Sequence, residues 1–179
     1  MPLDSLRSLG MRTRVYIDTN IFIYAIFRDP KFGKICRTIL RDMGSGLFDA
    51  YGSILVAIEL LGAISKIDPT VASKATNLYF QLPHKILGVN PKILRMASHI
   101  TDVVNLRYDS IHLAIMIENS IDKIITNDKD DWYRAKTSFK EIKEKMEKEG
   151  FESKIRGIEV ITPEEYGSFK KALLKNQPI

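Results

Sequence analysis

The chain has 179 residues, 45% of them hydrophobic and 27% charged, a composition typical of one globular domain. The single cysteine, Cys36, excludes an internal disulfide and any zinc module built from paired cysteines, so we expect a cytoplasmic protein. No apolar run approaches the roughly 20 residues that cross a bilayer, and we expect no membrane partner. The net charge of +5 favours a polyanionic partner such as nucleic acid.

Short apolar runs rich in β-branched residues alternate with longer stretches of helical periodicity along the whole chain. This alternation predicts an α/β domain whose strands form a parallel sheet. The five predicted strands cover residues 14–18, 47–53, 85–89, 122–126 and 157–161.

Four predicted helix starts share a capping residue followed by proline at the first helical position. They are Asp29-Pro30, Asp68-Pro69, Asn90-Pro91 and Thr162-Pro163, and Glu165 completes a capping box with Thr162.

A further helix is predicted from Ser53, its N-cap, to about Lys66. At roughly 100° per residue, one arc of this helix is expected to face the core. The arc consists of Ile54, Ile58, Leu61 and Ile64, with Glu59 at its border.

We expect one domain over residues 14–169, preceded by a disordered extension at 1–13 and followed by a tail at 170–179. Residues 134–156 are rich in lysine and glutamate, with Phe139, Ile142 and Met146 on one narrow stripe. The stretch predicts a solvated amphipathic helix inserted outside the core. A role in gripping RNA or a partner is the alternative.

Four acidic residues stand inside apolar segments or directly after one. Asp18, Glu59 and Asp109 are the only charged residues of 15–27, 50–65 and 108–117, respectively, and Asp128 follows an apolar run through Thr126-Asn127. Burial of an ionised carboxylate is costly unless the group is paired or binds a cation. No lysine or arginine within these segments offers such pairing.

These acids are expected to meet at one edge of the sheet. Asp18 and Asp128 follow two predicted strands, and functional groups of open parallel sheets gather beyond the strands' carboxyl ends. Each aspartate taken singly is also a favoured helix N-cap, but capping does not explain Glu59 in mid-helix. We therefore predict a shared carboxylate site, whose oxygen ligands favour Mg²⁺ or Mn²⁺ over zinc. His112 is interpreted as a satisfied core residue.

Four motifs in this order resemble the PIN-domain nucleases, especially the VapC-type toxins. The motifs are Val15-Tyr16-Ile17-Asp18-Thr19-Asn20, the lone Glu59 in its apolar helix, Tyr108-Asp109-Ser110-Ile111-His112-Leu113-Ala114, and Thr126-Asn127-Asp128-Lys129-Asp130. The resemblance covers most of residues 12–169. The insert and the N-terminal extension make this chain longer than typical toxins.

The resemblance implies a three-layer α/β/α fold and metal-dependent endoribonuclease activity. It assigns the acidic positions to Asp18, Glu59, Asp109 and Asp128, and the supporting polar positions to Asn20, Ser110 and Thr126. A toxin would have an RNA substrate and a small antitoxin partner, and we expect a homodimer. The alternatives are a housekeeping RNA-processing nuclease, a non-catalytic PIN-like module that binds RNA or protein, and a phosphohydrolase acting on DNA or a small phosphate ester.

Overall fold

The computed structural model describes residues 12–175, in which five short strands form one parallel sheet. The strands are β1 (Arg14–Ile17), β2 (Asp49–Ser53), β3 (Lys85–Leu87), β4 (Lys123–Ile125) and β5 (Glu159–Ile161). All five predicted strands are confirmed, each one or two residues shorter than expected.

Helices connect and follow the strands within the described residues. They are α1 (Thr19–Ile26), α2 (Gly33–Gly44), α3 (Ile54–Ser65), α4 (Pro69–Gln81), α5 (Pro91–Val103), α6 (Asp109–Glu118), α7 (Lys129–Thr137), α8 (Phe139–Lys148) and α9 (Tyr166–Lys175). In this part of the chain no helix combines the length and the apolar character needed to cross a bilayer.

The sheet order is β3-β2-β1-β4-β5, and every neighbouring pair is parallel. The chain builds outward from β1 to β3 and then returns to place β4 on the other side of β1. The helices α1–α4 pack on one another, and α5–α8 form a second packed group. Right-handed crossovers in a sheet of this order place the two groups on opposite faces, and the three-layer α/β/α fold is confirmed. The reversal leaves the carboxyl ends of β1 and β4 side by side, where open sheets place their functional sites.

Two of the four predicted helix starts are confirmed, and two helices begin three residues after the proline. Asp68 and Asn90 cap α4 and α5, each with proline at the first helical position. The Asp29 carboxylate instead accepts the amides of Lys31 and Phe32 in a turn, and α2 begins only at Gly33. Thr162 and Pro163 likewise precede α9, which begins at Tyr166.

The glycine at the start of α2 is required by close packing of the chain. A Cβ on Gly33 would lie 2.7 Å from the carbonyl carbon of Arg28. A side chain at this position would therefore push α2 away from the end of α1.

The predicted core face of α3 is wrong. Its buried side chains are Leu55, Val56, Ala57, Leu60 and Ile64, of which only Ile64 was expected. Ile54, Ile58 and Leu61 are exposed, and Ile58 retains 59% of its accessible surface. The helix is apolar on nearly every side, so its periodicity does not determine which face turns inward.

The interpretation of residues 134–156 as a solvated insert is also wrong. These residues contribute to two helices, α7 and α8, and Phe139, Ile142 and Met146 are buried in the main hydrophobic cluster. The α8 helix packs on α5, and Phe151 beyond it lies 5.7 Å from the His99 ring between centroids. Three apolar side chains are enough to bury one side of α8 because α5 presents a complementary apolar face.

The predicted boundary at residue 169 falls inside α9, so residues 170–175 continue a helix instead of forming a tail. The capping-box partners Thr162 and Glu165 do exchange hydrogen bonds, but they form a turn that precedes this helix. Most of the predicted N-terminal extension, residues 1–11, and the last four residues lie outside the described residues.

Burial of α8 predicts a large loss of stability from one substitution. We expect Ile142→Ala to lower the free energy of unfolding by about 2–5 kcal/mol, because it removes a fully buried side chain. Lys140→Ala on the same helix, where the side chain is 89% exposed, should change it by less than about 0.5 kcal/mol. Equal values from urea unfolding of the two variants would contradict this packing.

Candidate active site

The four predicted acids lie together beyond the carboxyl ends of β1 and β4. Asp18 directly follows β1, and Asp128 precedes α7 in the connection after β4. Asp109 is the first residue of α6, and Glu59 projects from α3. The polar atoms form two groups, Asp18 with Glu59 and His112, and Asp109 with Asp128 and Asp131, each with its ligand atoms within 4.8 Å of one another.

Asp18 is buried and is held by three hydrogen-bond donors. The backbone N–H of Thr19 donates to Oδ1 at 2.6 Å, so Asp18 is also the N-cap of α1. Asn20 Nδ2 and Thr126 Oγ1 donate to Oδ2 at 2.6 Å and 2.5 Å. None of these donors carries a charge, and burial raises the pKa of Asp18 although His112 and the hydrogen bonds oppose the rise.

Asn20 and Thr126 connect the ends of the two central strands. Asn20 Nδ2 donates a second hydrogen bond to Thr126 Oγ1 at 3.0 Å, and Asn20 Oδ1 accepts the amide of Asn127 at 3.0 Å. Thr126 Oγ1 also accepts the amide of Asp128 at 3.0 Å. Every polar atom of these two side chains is used, which orients Asp18 and the Asp128 loop together.

Buried His112 and half-buried Glu59 form a pair that the sequence analysis missed. His112 Nε2 lies 3.1 Å from Glu59 Oε2, which also accepts the Thr19 hydroxyl. His112 Nδ1 lies 2.8 Å from the hydroxyl of Tyr16, which in turn contacts Ser53 Oγ at 2.6 Å. His112 is thus a core residue and a site residue at once, and its position three residues after Asp109 on α6 was the available signal.

The pKa values of this pair move in opposite directions. Burial alone would raise the pKa of Glu59, but the hydrogen bond and charge of His112 outweigh it, so the pKa lies below its usual value. Burial alone would lower the pKa of His112, yet Glu59 and the charge of Asp18 raise it. The geometry therefore favours an ionised Glu59 held by a protonated imidazole.

Asp109, Asp128 and Asp131 make the second group strongly negative. Burial and the charge of Asp18, with smaller contributions from Asp128 and Asp131, raise the pKa of Asp109 to about 7. Burial and Asp131 also raise the pKa of Asp128. Asp131 forms an ion pair with Arg134 and was not predicted, although it lies one helical turn after Asp128.

The polar residues predicted to support the acids have different surroundings. Asn20 and Thr126 contact Asp18 as described, whereas the Ser110 hydroxyl donates to the carbonyl of Arg107 at 2.6 Å. Ser110 therefore holds the turn before α6, and it acts on Asp109 only through the backbone.

The acids exceed the positive groups that contact them. Five carboxylates converge, whereas the positive groups in contact with them, within the described residues, are His112 and Arg134. All but one of the clustered side chains offer carboxylate oxygens, the donors that hard divalent cations prefer. The donor set of both groups fits a hard divalent cation.

The sequence model described as PIN domain matches residues 15–137 of this chain. Among proteins of curated function, no sequence match was found. The sequence motifs that carry the acids all lie within the matched residues.

Several solved structures share the fold at low sequence identity. VapBC2 from Rickettsia felis, bound to a promoter DNA fragment, is 15% identical with a TM-score of 0.55, over 84% of this chain and 98% of that chain. VapC20 from Mycobacterium tuberculosis, a toxin that cleaves the sarcin-ricin loop, is 12% identical with a TM-score of 0.58, over 67% and 94%. DNA-bound VapBC from Salmonella typhimurium is 14% identical with a TM-score of 0.57, over 84% and 98%.

The raised pKa of Asp109 predicts a pH-dependent loss of stability in metal-free protein. The folded state binds this proton more tightly than the unfolded chain, so stability should fall as pH rises from about 4 to about 7. Asp18, Asp128 and His112 also have raised pKa values and contribute to this fall. Asp109→Asn should remove the part that Asp109 contributes and raise the free energy of unfolding at pH 8 by an amount on the order of 2–4 kcal/mol.

The measurement is thermal unfolding in EDTA between pH 4 and pH 8. Asp122→Asn, at a half-exposed aspartate outside the site, is the matched control and should follow the wild-type curve. A destabilised Asp109→Asn variant with an unchanged pH profile would show that Asp109 serves only as part of the helix start.

Proposed function

Because the chain belongs to the PIN domain family, we propose that it is an endoribonuclease that hydrolyses RNA with Mg²⁺ or Mn²⁺ bound to its acids. We further propose that it is the toxin of a toxin-antitoxin pair. The observation that carries the proposal is the convergence of acids beyond β1 and β4 with too few positive groups to balance them. The proposed ligands are Asp18, Asp109 and Asp128.

The hydrogen bonds of Asp18 leave it able to bind a cation. A carboxylate has about four lone-pair positions, and three are occupied by Thr19, Asn20 and Thr126. These donors also fix the orientation of the group, so binding an ion requires little reorganisation. Asp18 is therefore the rigid member of the proposed site, and Asp128 on its exposed loop is the adjustable one.

Glu59 differs from the aspartates because one of its oxygens is already engaged. Oε2 contacts His112 and Thr19, whereas Oε1 accepts no hydrogen bond from the described residues. We assign Oε1 to holding a water at the edge of the site. His112 keeps the carboxylate ionised and fixed in this orientation.

The proposed reaction is attack of water on a phosphodiester. A bond forms between the water oxygen and phosphorus while the bond to the 3′-oxygen breaks, which leaves a 5′-phosphate and a 3′-hydroxyl. The bound cation would supply a more acidic water and neutralise charge on the phosphate. The water would lose its proton to solvent and the leaving 3′-oxygen would gain one, so the step balances without a second role for the ligand Asp109.

Basic side chains beside the acids support a polyanionic substrate. Lys31 and Lys129 both contact Glu164, at 3.9 Å and 3.4 Å, in a recess that Asp128 also lines. Both lysines are at least 44% exposed, so a phosphate would compete with Glu164 for them. A non-catalytic binding module would need the lysines but not the excess of acids.

Cleavage of single-stranded RNA should require Mg²⁺ or Mn²⁺ and stop in EDTA. We expect Asp128→Asn to reduce the cleavage rate by at least about 100-fold, because it removes a proposed ligand. Asp122→Asn should retain wild-type activity. Gel analysis of end-labelled RNA and of DNA with the same sequence gives the rates, the substrate preference and the product ends.

Full activity of purified protein in EDTA would refute the metal site. Cleavage of DNA alone would replace the ribonuclease proposal with a deoxyribonuclease. Metal-stabilised protein that cleaves neither polymer would support a non-catalytic module.

An exposed apolar face supports the proposed antitoxin partner. Ile54, Ile58 and Leu61 of α3 are exposed on one side of the helix, and Ile26 and Phe27 extend the surface at the end of α1. The α1 and α3 helices pack together, and Glu59 lies on α3, so a protein bound here lies beside the acids. We propose that an apolar helix of the antitoxin binds this surface and blocks the site.

If a short reading frame adjoins this gene, Ile58→Glu should abolish co-purification with the protein it encodes, because the substitution places a charge in the proposed contact. Leu174→Glu, at a 51% exposed leucine on α9, should leave the complex intact. Light scattering of the chain alone tests the proposed homodimer. A dimer that Ile58→Glu dissociates, while the antitoxin still binds, would assign this face to self-association.

A further inference from the structure

An open groove lies between α5 and α6, directly beside the proposed active site. Its volume is about 320 Å³, and its lining includes Tyr108 and Ser110, the two neighbours of Asp109 in the chain. Tyr108 is 70% exposed, the highest value among the large apolar and aromatic side chains of the described residues. The catalytic proposal makes no use of this groove.

The backbone around Tyr108 is held in a costly conformation. Arg107 has φ of +52°, a left-handed conformation that is unfavourable for a residue with a β-carbon. The carbonyl of Arg107 accepts the Ser110 hydroxyl at 2.6 Å, and the carbonyl of Tyr108 accepts the Ile111 amide at 2.9 Å. The turn thus starts α6 at Asp109 while Tyr108 remains on the surface.

The groove offers the chemistry that binds an unstacked nucleobase. Tyr108 supplies an exposed aromatic face, and Ala97 and Ile111 supply apolar lining. Thr101 and Ser98 donate their hydroxyl protons to backbone carbonyls of α5, which leaves their oxygens as acceptors toward the groove. Aromatic stacking with polar groups at the margin is how proteins hold single-stranded bases.

The position of the groove matches that of a nucleotide next to the cut. Consecutive Cα atoms are about 3.8 Å apart, so Tyr108 lies within one residue of a proposed cation ligand. Arg107, exposed at the same end of the groove, is available to a backbone phosphate. This spacing allows a base on Tyr108 to belong to a nucleotide near the phosphate at the acids.

We propose that the groove lined by Tyr108 is a nucleobase subsite, which seats a base flanking the scissile phosphate of a single-stranded RNA. This proposal rests on the proposed ribonuclease function. Tyr108 is in this view a residue that positions substrate, and it takes no part in bond breaking.

The test combines substitutions at Tyr108 with removal of single bases from the RNA. An RNA with one cut site is prepared as a series, each member with one abasic nucleotide, and kcat and KM are measured with Mn²⁺. In the wild type, one abasic position next to the cut should raise KM about 10-fold with little change in kcat. Tyr108→Ala should raise KM about 10-fold on intact RNA and show no further loss at that abasic position.

Two controls separate stacking from folding. Tyr108→Phe retains the aromatic face and should behave as the wild type. Phe80→Ala removes another exposed aromatic ring, on α4 on the other face of the sheet, and should leave the abasic profile unchanged. Thermal stabilisation by Mn²⁺ should be equal in all variants, because none removes a proposed ligand.

The outcomes distinguish this subsite from the proposed activity. Two results would overturn the subsite and leave the ribonuclease proposal intact. In one, RNA is cleaved and KM is the same for every abasic position. In the other, the increases in KM from Tyr108→Ala and from base removal are additive. The same RNA series is also titrated in Ca²⁺, where binding is followed without turnover. Non-additive binding losses without any cleavage in Mn²⁺ would support the subsite and refute the nuclease, and absence of both binding and cleavage would overturn both.

Discussion

The hydrogen bonds around Asp18 are the constraint on which the site depends. The sheet changes its direction of growth between β1 and β4, and the two strand ends at this point have no shared loop to connect them. Asn20 and Thr126 make that connection by bonding to each other and to the same carboxylate oxygen. One buried carboxylate is thereby held in a fixed orientation at the centre of the fold before any ligand binds.

This arrangement sets stability against function. Asp18 is held by neutral donors only, and the aspartates near it repel one another, so ionisation is opposed at Asp109. Glu59 escapes this conflict because His112 neutralises it from within the core. The site thus contains two acids balanced by the protein, Glu59 by His112 and Asp131 by Arg134, and three that form no ion pair among the described residues. The proposed cation would therefore stabilise the folded state.

Much of the fold followed from sequence, because buried parallel strands are continuous apolar runs and Asp-Pro or Asn-Pro pairs begin helices. The aspartates were found because a lone charge in such a run is conspicuous. The orientation of α3 was missed because that helix is apolar all round. The burial of α8 was missed because α5, not its own composition, provides the partner surface. His112 is a core residue, as the sequence analysis predicted. Its contact with Glu59 arises only from the tertiary fold.

The packing of α8 and β5 shows that the segment matching the PIN family differs from the segment that folds as one unit. The similarity to the PIN family ends at residue 137, but Phe139, Ile142 and Met146 fill the same core, and β5 pairs with β4. The carbonyl of Ile161 accepts the amide of Thr126, so β5 holds the residue whose hydroxyl donates to Asp18. The segment that sequence similarity outlines is therefore smaller than the unit that folds. Chain ends chosen at the limit of similarity would remove a support of the Asp128 loop and leave all of the clustered acids in place.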